Sequence, residues 1–144
     1  MEGTTIGRPK GELTRCSGTW TEAQYRNFVK NQLRSATRKW RPIQDCKKNA
    51  KVGYGEYKCE CCGEVVPPTV FDVDKGKRVT NIFVDHIDPV VDPAIGWVSW
   101  DSVVEGLFCE ADNLQLLCGK CHKIKSQEEI DIAKARRAKE KNNA

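Results

Sequence analysis

No stretch of this 144-residue chain approaches the roughly 18 consecutive apolar residues of a membrane-spanning helix, and no charged-then-apolar leader opens it. The expected setting is therefore cytoplasmic, with no membrane partner. Histidine is scarce as well: His86 and His122 are the only two, so imidazole chemistry has to run through them. Eight cysteines in a reducing compartment point to metal or to buried thiols rather than to disulfides. The length suits one ordinary domain with an attached arm and is short for two independent cores. A hydrophobic share of 39% beside 31% charged residues describes a chain that folds rather than a disordered one.

The net charge of +4 conceals a segregation. Residues 1–58 carry 13 Lys/Arg against 5 Asp/Glu, net +8; residues 59–118 carry 3 against 11, net −8; residues 119–144 carry 8 against 4, net +4. An acidic middle between basic flanks suits a cation-binding centre held against a polyanion by its ends. Solvated faces are the plainer explanation, and only a metal site in the middle favours the first.

Along the chain, residues 1–18 lack periodicity and are expected to form a flexible arm. Thr19 and Glu22 stand at capping-box spacing, so a helix is predicted from there. Tyr25, Val29, Leu33, Ala36 and Trp40 then make one apolar stripe, and Arg26, Lys30, Arg34 and Arg38 make a basic line at steps of four. Arg41-Pro42 is expected to end the helix. Residues 43–58 read as a linker. Val65–Val73 and Arg78–Val84 predict a hairpin across Asp74-Lys75-Gly76-Lys77, whose second strand delivers Asp85 and His86. A short helix is predicted from Trp100 to Phe108, with Trp97 and Trp100 as packing groups. A last helix is expected from about Gly119, either continuous through Ala138 or re-started at Ser126 with Glu129 as a capping box, and it ends in a basic tail. The four phosphate-tracking cations of the first helix balance evenly against an ordinary Lys/Arg-rich surface; charge segregation tips them toward DNA.

Cys59-Glu60-Cys61-Cys62-Gly63 and Cys118-Gly119-Lys120-Cys121 hold two Cys-x-x-Cys pairs separated by 55 residues. Two such pairs complete a tetrahedral four-thiolate zinc centre, with Gly63 permitting the tight turn. Cys59, Cys62, Cys118 and Cys121 are the expected ligands, and zinc would staple a small core. Cys61 is a bystander; Cys16, Cys46 and Cys109 lack partners at ligand spacing and are expected to be free thiols.

Asp85-His86-Ile87, followed by Asn113-Leu114-Gln115-Leu116-Leu117-Cys118-x-x-Cys121-His122-x-x-Lys125-Ser126, resembles the HNH nuclease family, in its four-cysteine zinc-bearing branch common among bacteriophage proteins. The resemblance covers residues 59–126 and extends more weakly to about residue 19. It implies an α+β fold: a small zinc-stapled ββα-metal domain with a basic N-terminal helix and a C-terminal helix. The implied divisions are an arm (1–18), a basic helical extension and linker (19–58), the nuclease core (59–126) and a basic C-terminal helix and tail (127–144). Carried onto this chain, the resemblance makes His86 the general base. It makes Asp85 and His122 ligands of one divalent cation, and Asn113 the residue that orients the base-bearing loop. Lys125 would contact phosphate.

Phosphodiester hydrolysis asks for the same residue types independently: a base near neutral pKa, and a cation to neutralise charge on the phosphoryl and departing oxygens. Mixed oxygen and nitrogen ligands suit Mg²⁺ or Mn²⁺. The expected function is metal-dependent DNA cleavage, as a homing, phage-packaging or restriction-type nuclease. Double-strand cleavage would need a homodimer or sequential nicks. Against it stand a non-catalytic zinc module that binds nucleic acid through its basic flanks, and a zinc-stapled interaction protein. Neither needs a base beside a metal ligand.

Overall fold

The computed structural model describes residues 11–143, and the chain divides into two compact units, one ending at Ala36 and the other beginning at Thr37. Of the expected arm, residues 1–10 lie outside the described residues. The remainder is not loose.

In the first unit, β1 (Leu13–Arg15) pairs antiparallel with β2 (Trp20–Thr21). The turn between them uses left-handed backbone at Cys16, Ser17 and Gly18. α1 follows as Glu22–Ala36. Its capping box is two residues later than the sequence spacing suggested. Thr21 Oγ1 accepts from the Gln24 N–H (3.1 Å), and Gln24 Oε1 accepts from the Thr21 N–H (2.8 Å). Glu22 is thereby released to face backwards, where it takes both Arg15 Nε (2.7 Å) and Arg15 Nη2 (3.0 Å). The Arg15 guanidinium also lies 4.1 Å from the centre of the Tyr25 ring.

The second unit corrects the reading of residues 37–58. α1 has ended; Thr37–Lys39 form one 3-10 turn, and α2 runs Arg41–Ala50 with Trp40 as its N-cap. Pro42 therefore opens a helix. In the first turn its missing N–H costs nothing and its fixed φ is already helical. Trp40 leaves the α1 stripe and instead donates its indole N–H to the Cys109 carbonyl (2.7 Å), with its ring edge-on to Phe108. The supposed linker continues as β3 (Lys51–Gly53) and β4 (Glu56–Lys58), which with β5 (Val65–Val66) make an antiparallel sheet in the order β3-β4-β5.

The long hairpin predicted over 65–84 is divided among three sheets. Pro67-Pro68 separates β5 from β6 (Thr69–Asp72), which pairs only with β7 (Lys77–Thr80). Asn81 then separates β7 from β8 (Ile82–His86). β8 does deliver Asp85 and His86 at its end, but its partner is β9 (Leu114–Cys118), a strand the sequence reading left unassigned. The register is antiparallel: Ile82 faces Cys118, Asp85 faces Gln115 and His86 faces Leu114.

Between these strands lies α3 (Trp100–Leu107), capped by Ser99, whose hydroxyl accepts from the Ser102 N–H (3.1 Å). Its Val103 and Leu107 are buried, whereas Val104 is 40% exposed. Trp97 and Trp100 pack edge to face, as expected of packing groups (4.8 Å). After a 3-10 turn at Ala111–Asn113 and β9, α4 runs unbroken from Gly119 to Asn142. No described helix is long and apolar enough to cross a membrane.

The core sits around β9, where Leu114, Leu116, Leu117 and Cys118 are all buried. Successive strand residues point to opposite faces, so burial of both Leu116 and Leu117 means that β9 is covered on both sides; α2 and α4 both contact it. The result is a small mixed α/β domain with four cysteines gathered at one end of its central strand pair.

Candidate metal centres and catalytic residues

The four sulfurs come from two turns. Cys59 and Cys62 flank a knuckle after β4, closed by Gly63 N–H to Cys59 O and Cys59 N–H to Glu64 O (both 2.9 Å), with Gly63 at φ +76°. Cys118 ends β9, and Cys121 lies in the first turn of α4. The ligand atoms of Cys59, Cys62, Cys118 and Cys121 all lie within 4.8 Å of one another. A tetrahedron with Zn–S bonds of about 2.3 Å has sulfurs about 3.8 Å apart; Cys62 and Cys118 stand at 3.9 Å. That separation is also far beyond the roughly 2.05 Å of a disulfide. The donor set fits a zinc ion, and the four cysteines can bind a metal.

The cluster is electrostatically prepared. Burial pushes the Cys59 thiol up, but backbone N–H groups of Cys62, Cys118 and Cys61 and the Cys62 thiol outweigh it and bring it down to about 6. Desolvation, then sulfur neighbours led by Cys118, hold the Cys121 thiol well above its ordinary value. One sulfur is thus a ready thiolate, and a cation would drive the deprotonation of others. Cys61 lies outside the four-sulfur group and is exposed, as is Cys62, and Cys16, Cys46 and Cys109 are free thiols.

Two residues that the spacing did not single out hold the cluster to the strands. Glu60 donates its N–H to Leu116 O (2.9 Å) and accepts the Leu116 N–H on its carboxylate (2.6 Å), clamping the knuckle to β9. Asn81 accepts the Gly119 N–H on its carbonyl (3.0 Å). A Cβ at Gly119 would come within 2.8 Å of Asn81 Oδ1, so any larger residue there would push the Asn81 side chain aside. No local pattern marks either residue, because both act across the fold.

The second group lies at the other end of β8. Alternation along the strand sends Asp85 and Phe83 one way and His86 the other. The Phe83 ring stacks on His122 of α4 (4.2 Å between centres, 9° between planes). Stacking occupies one face of the imidazole and leaves its ring nitrogens, which lie at the edge, open to a ligand. On the same side, Asp85 Oδ2 accepts from Lys125 Nζ of α4 (2.7 Å) and from Gln115 Nε2 across the ladder (3.3 Å). Asp85 and His122 therefore offer an oxygen and a nitrogen on the face of β8 that meets α4.

His86 turns toward the end of α3, its Nε2 3.2 Å from the Leu107 carbonyl oxygen. A carbonyl can only accept, so this contact places the proton on Nε2 and leaves the lone pair of a neutral ring on Nδ1. Asn113 bridges the loop that follows. Its Oδ1 accepts the Asp88 N–H (2.8 Å), its Nδ2 donates to Asp88 O (3.3 Å), and its carbonyl accepts the Ile87 N–H (2.9 Å). Asp88 contributes its backbone N–H and C=O to this clamp.

Lys125 differs from its expected place. Its ammonium reaches Asp85, the His86 carbonyl oxygen (2.8 Å) and Glu129 Oε1 (3.2 Å). Three donors meet three acceptors, so none is left for a phosphate, and Lys125 braces the strand end instead. The basic line is also broken. Arg26, Lys30 and Arg34 lie on α1, while Arg38 lies in the 3-10 turn of the second unit. There it lines a cleft with Lys47 and His122. A separate cavity along the distal part of α4, lined by Ala94, Ile132 and Arg136 among others, holds none of the candidate chemistry.

In comparisons with known proteins, the chain matches no family model and has no significant match among curated sequences or solved structures.

Proposed function

We propose that this chain is a metal-dependent DNA endonuclease of the HNH type, built on a ββα-metal unit formed by β8, β9 and α4. The observation that carries the reading is the treatment of His86. It ends a strand with Nε2 committed to a carbonyl and Nδ1 left with a lone pair, directly after a carboxylate that is paired to Lys125 of α4.

In this reading His86 Nδ1 takes a proton from the attacking water as its oxygen bonds to phosphorus. The P–O3′ bond breaks, the 3′ oxygen leaves and takes a proton from solvent water, and the products carry 5′-phosphate and 3′-hydroxyl ends. The Leu107 carbonyl, at the negative end of α3, supports the proton-bearing ring. Asn113 keeps the loop from carrying His86 out of line. Asp85 and His122 would hold Mg²⁺ or Mn²⁺, whose donor preferences allow one carboxylate and one imidazole with water and phosphate completing the shell. The Lys125 ammonium on Asp85 indicates that the carboxylate suits a cation. When bound, the ion supplies neutralisation of charge on the phosphoryl and departing oxygens. The four-thiolate zinc fixes the geometry and takes no part in the reaction.

The test is incubation of supercoiled plasmid with protein and Mg²⁺ or Mn²⁺, comparing wild type with His86→Ala at equal zinc content. Nicking by the wild type and its loss in the variant are expected; equal behaviour of the two removes the enzyme reading. The same Lys125–Asp85 pair also favours a second reading, a non-catalytic zinc module that binds nucleic acid, because it leaves Asp85 already neutralised. Binding of DNA without cleavage in either metal would establish that reading.

A further inference from the structure

A cleft of about 610 Å³ runs beside β8, and among its lining residues are Arg38, Lys47, Thr69, Thr80, Phe83 and His122. β8 pairs with β9 alone among the described residues, and three successive β8 residues, Ile82, Phe83 and Val84, line the cleft. Ile82, Val84 and Leu116 give it an apolar floor, and none of its lining residues is acidic. In a stretch whose net charge is −8, that is a local reversal. Both cations come from outside the stretch, Arg38 from the 3-10 turn and Lys47 from α2. Neither is engaged in an ion pair among the described residues. Lys47 comes from the segment that sequence reading took for a linker.

We infer that this cleft seats the single strand adjoining the bond to be cut, with Arg38 and Lys47 each holding one phosphate and the apolar floor meeting sugar and base. Three features of the cleft argue for that occupant. Its volume falls in the range of small-ligand pockets, about 300–1,000 Å³, which suits an unpaired nucleotide and not a duplex. Cations over an apolar and aromatic surface are the usual composition of single-strand sites. His122, the candidate metal ligand, lines the cleft, so a strand seated there leads to the candidate cation. The assignment rests on the nuclease reading for the identity of the ligand, and it makes Arg38 and Lys47 positioning residues.

The experiment is fluorescence anisotropy with a labelled single-stranded oligonucleotide and the matched duplex, without added divalent cation and without chelator. Titrations run from about 50 to about 200 mM salt, the range over which phosphate contacts change affinity steeply. Each phosphate contact on a single strand contributes about 0.7 to the slope of log affinity against log salt. Arg38→Gln with Lys47→Gln should therefore flatten the single-strand slope by about 1.4, and Arg38→Lys with Lys47→Arg should restore it. Identical slopes for wild type and the double variant overturn the assignment. So does a loss confined to the duplex, which would move both cations to the flank of double-stranded DNA. Because the slope does not depend on His86, plasmid cleavage judges the nuclease reading separately.

Discussion

Lys125 Nζ lies 2.7 Å from Asp85 Oδ2, with the two side chains only 23% and 17% exposed. A pair this sheltered is less screened than a surface pair; burial lowers the Lys125 pKa, but the hydrogen bonds and charges of Asp85 and Glu129 outweigh it and raise it. The lysine and a divalent ion would therefore compete for one carboxylate. Removing the ammonium should favour the ion.

Lys125→Met is accordingly expected to tighten Mn²⁺ binding about tenfold, the scale of one lost charge-assisted hydrogen bond. Asp85→Asn should weaken it in either background. Titration calorimetry on zinc-loaded protein measures both. Unchanged Mn²⁺ affinity in Lys125→Met would separate the lysine from the metal site, leaving it as a brace between β8 and α4.

Asn113 makes a different prediction, because its contacts are to backbone. Asn113→Ala removes two hydrogen bonds to Asp88, which at about 0.5–1.5 kcal/mol each should cost about 1–3 kcal/mol. Plasmid nicking should fall while zinc content stays the same. Thermal unfolding with parallel zinc analysis checks the pair. A variant that cuts at the wild-type rate would show that the loop after His86 needs no clamp.

The parts of this site that could be read from the chain are those carried by short spacings. Cys59-x-x-Cys62 and Cys118-x-x-Cys121 each depend on one turn, and the converged sulfurs follow once the two turns meet. Asp85 and His86 were recognisable at a strand end because β-branched residues lead up to them. What could not be read is pairing across distance. β9 shows no alternation, since Leu116 and Leu117 are both buried, so its period-2 signal is erased. Pro42 read as a stop because its place in a first turn is visible only once Trp40 is known to be the cap. Arg38 seemed to continue the α1 line, but helical spacing in sequence does not reveal where the helix has ended. Lys125 seemed available to a phosphate because neither Asp85 nor Glu129 could be placed against it.

Metal bound by the four-cysteine cluster would make folding depend steeply on that metal. Among the described residues, the buried hydrophobic side chains are Cys59, Ile82, Val103, Leu107, Leu114, Leu116, Leu117 and Cys118, a small core for the second unit. Cys59 and Cys118 are themselves part of that core, so losing the ion would open it from within. Cys118→Ser or Cys121→Ser should lose bound zinc, and the second unit should lose its cooperative thermal transition. Cys61→Ser should keep both. Metal analysis with calorimetry decides; zinc that survives loss of Cys118 and Cys121 would dismiss the four-thiolate assignment.

α1 offers the last prediction. Burial first, then the neighbouring charges of Arg34 and Arg26, lower the Lys30 pKa, so the three cations crowd one another. A phosphate backbone would relieve that crowding and release counterions as it binds. Each neutralised duplex phosphate contributes about 0.9 to the salt slope, so Arg26→Glu, Lys30→Glu and Arg34→Glu together should flatten duplex binding by about 2.7. Zinc content and the thermal transition of the second unit should not change, since the substitutions lie in the first. An unaltered slope would return α1 to an ordinary solvated helix and leave nucleic-acid binding to the second unit.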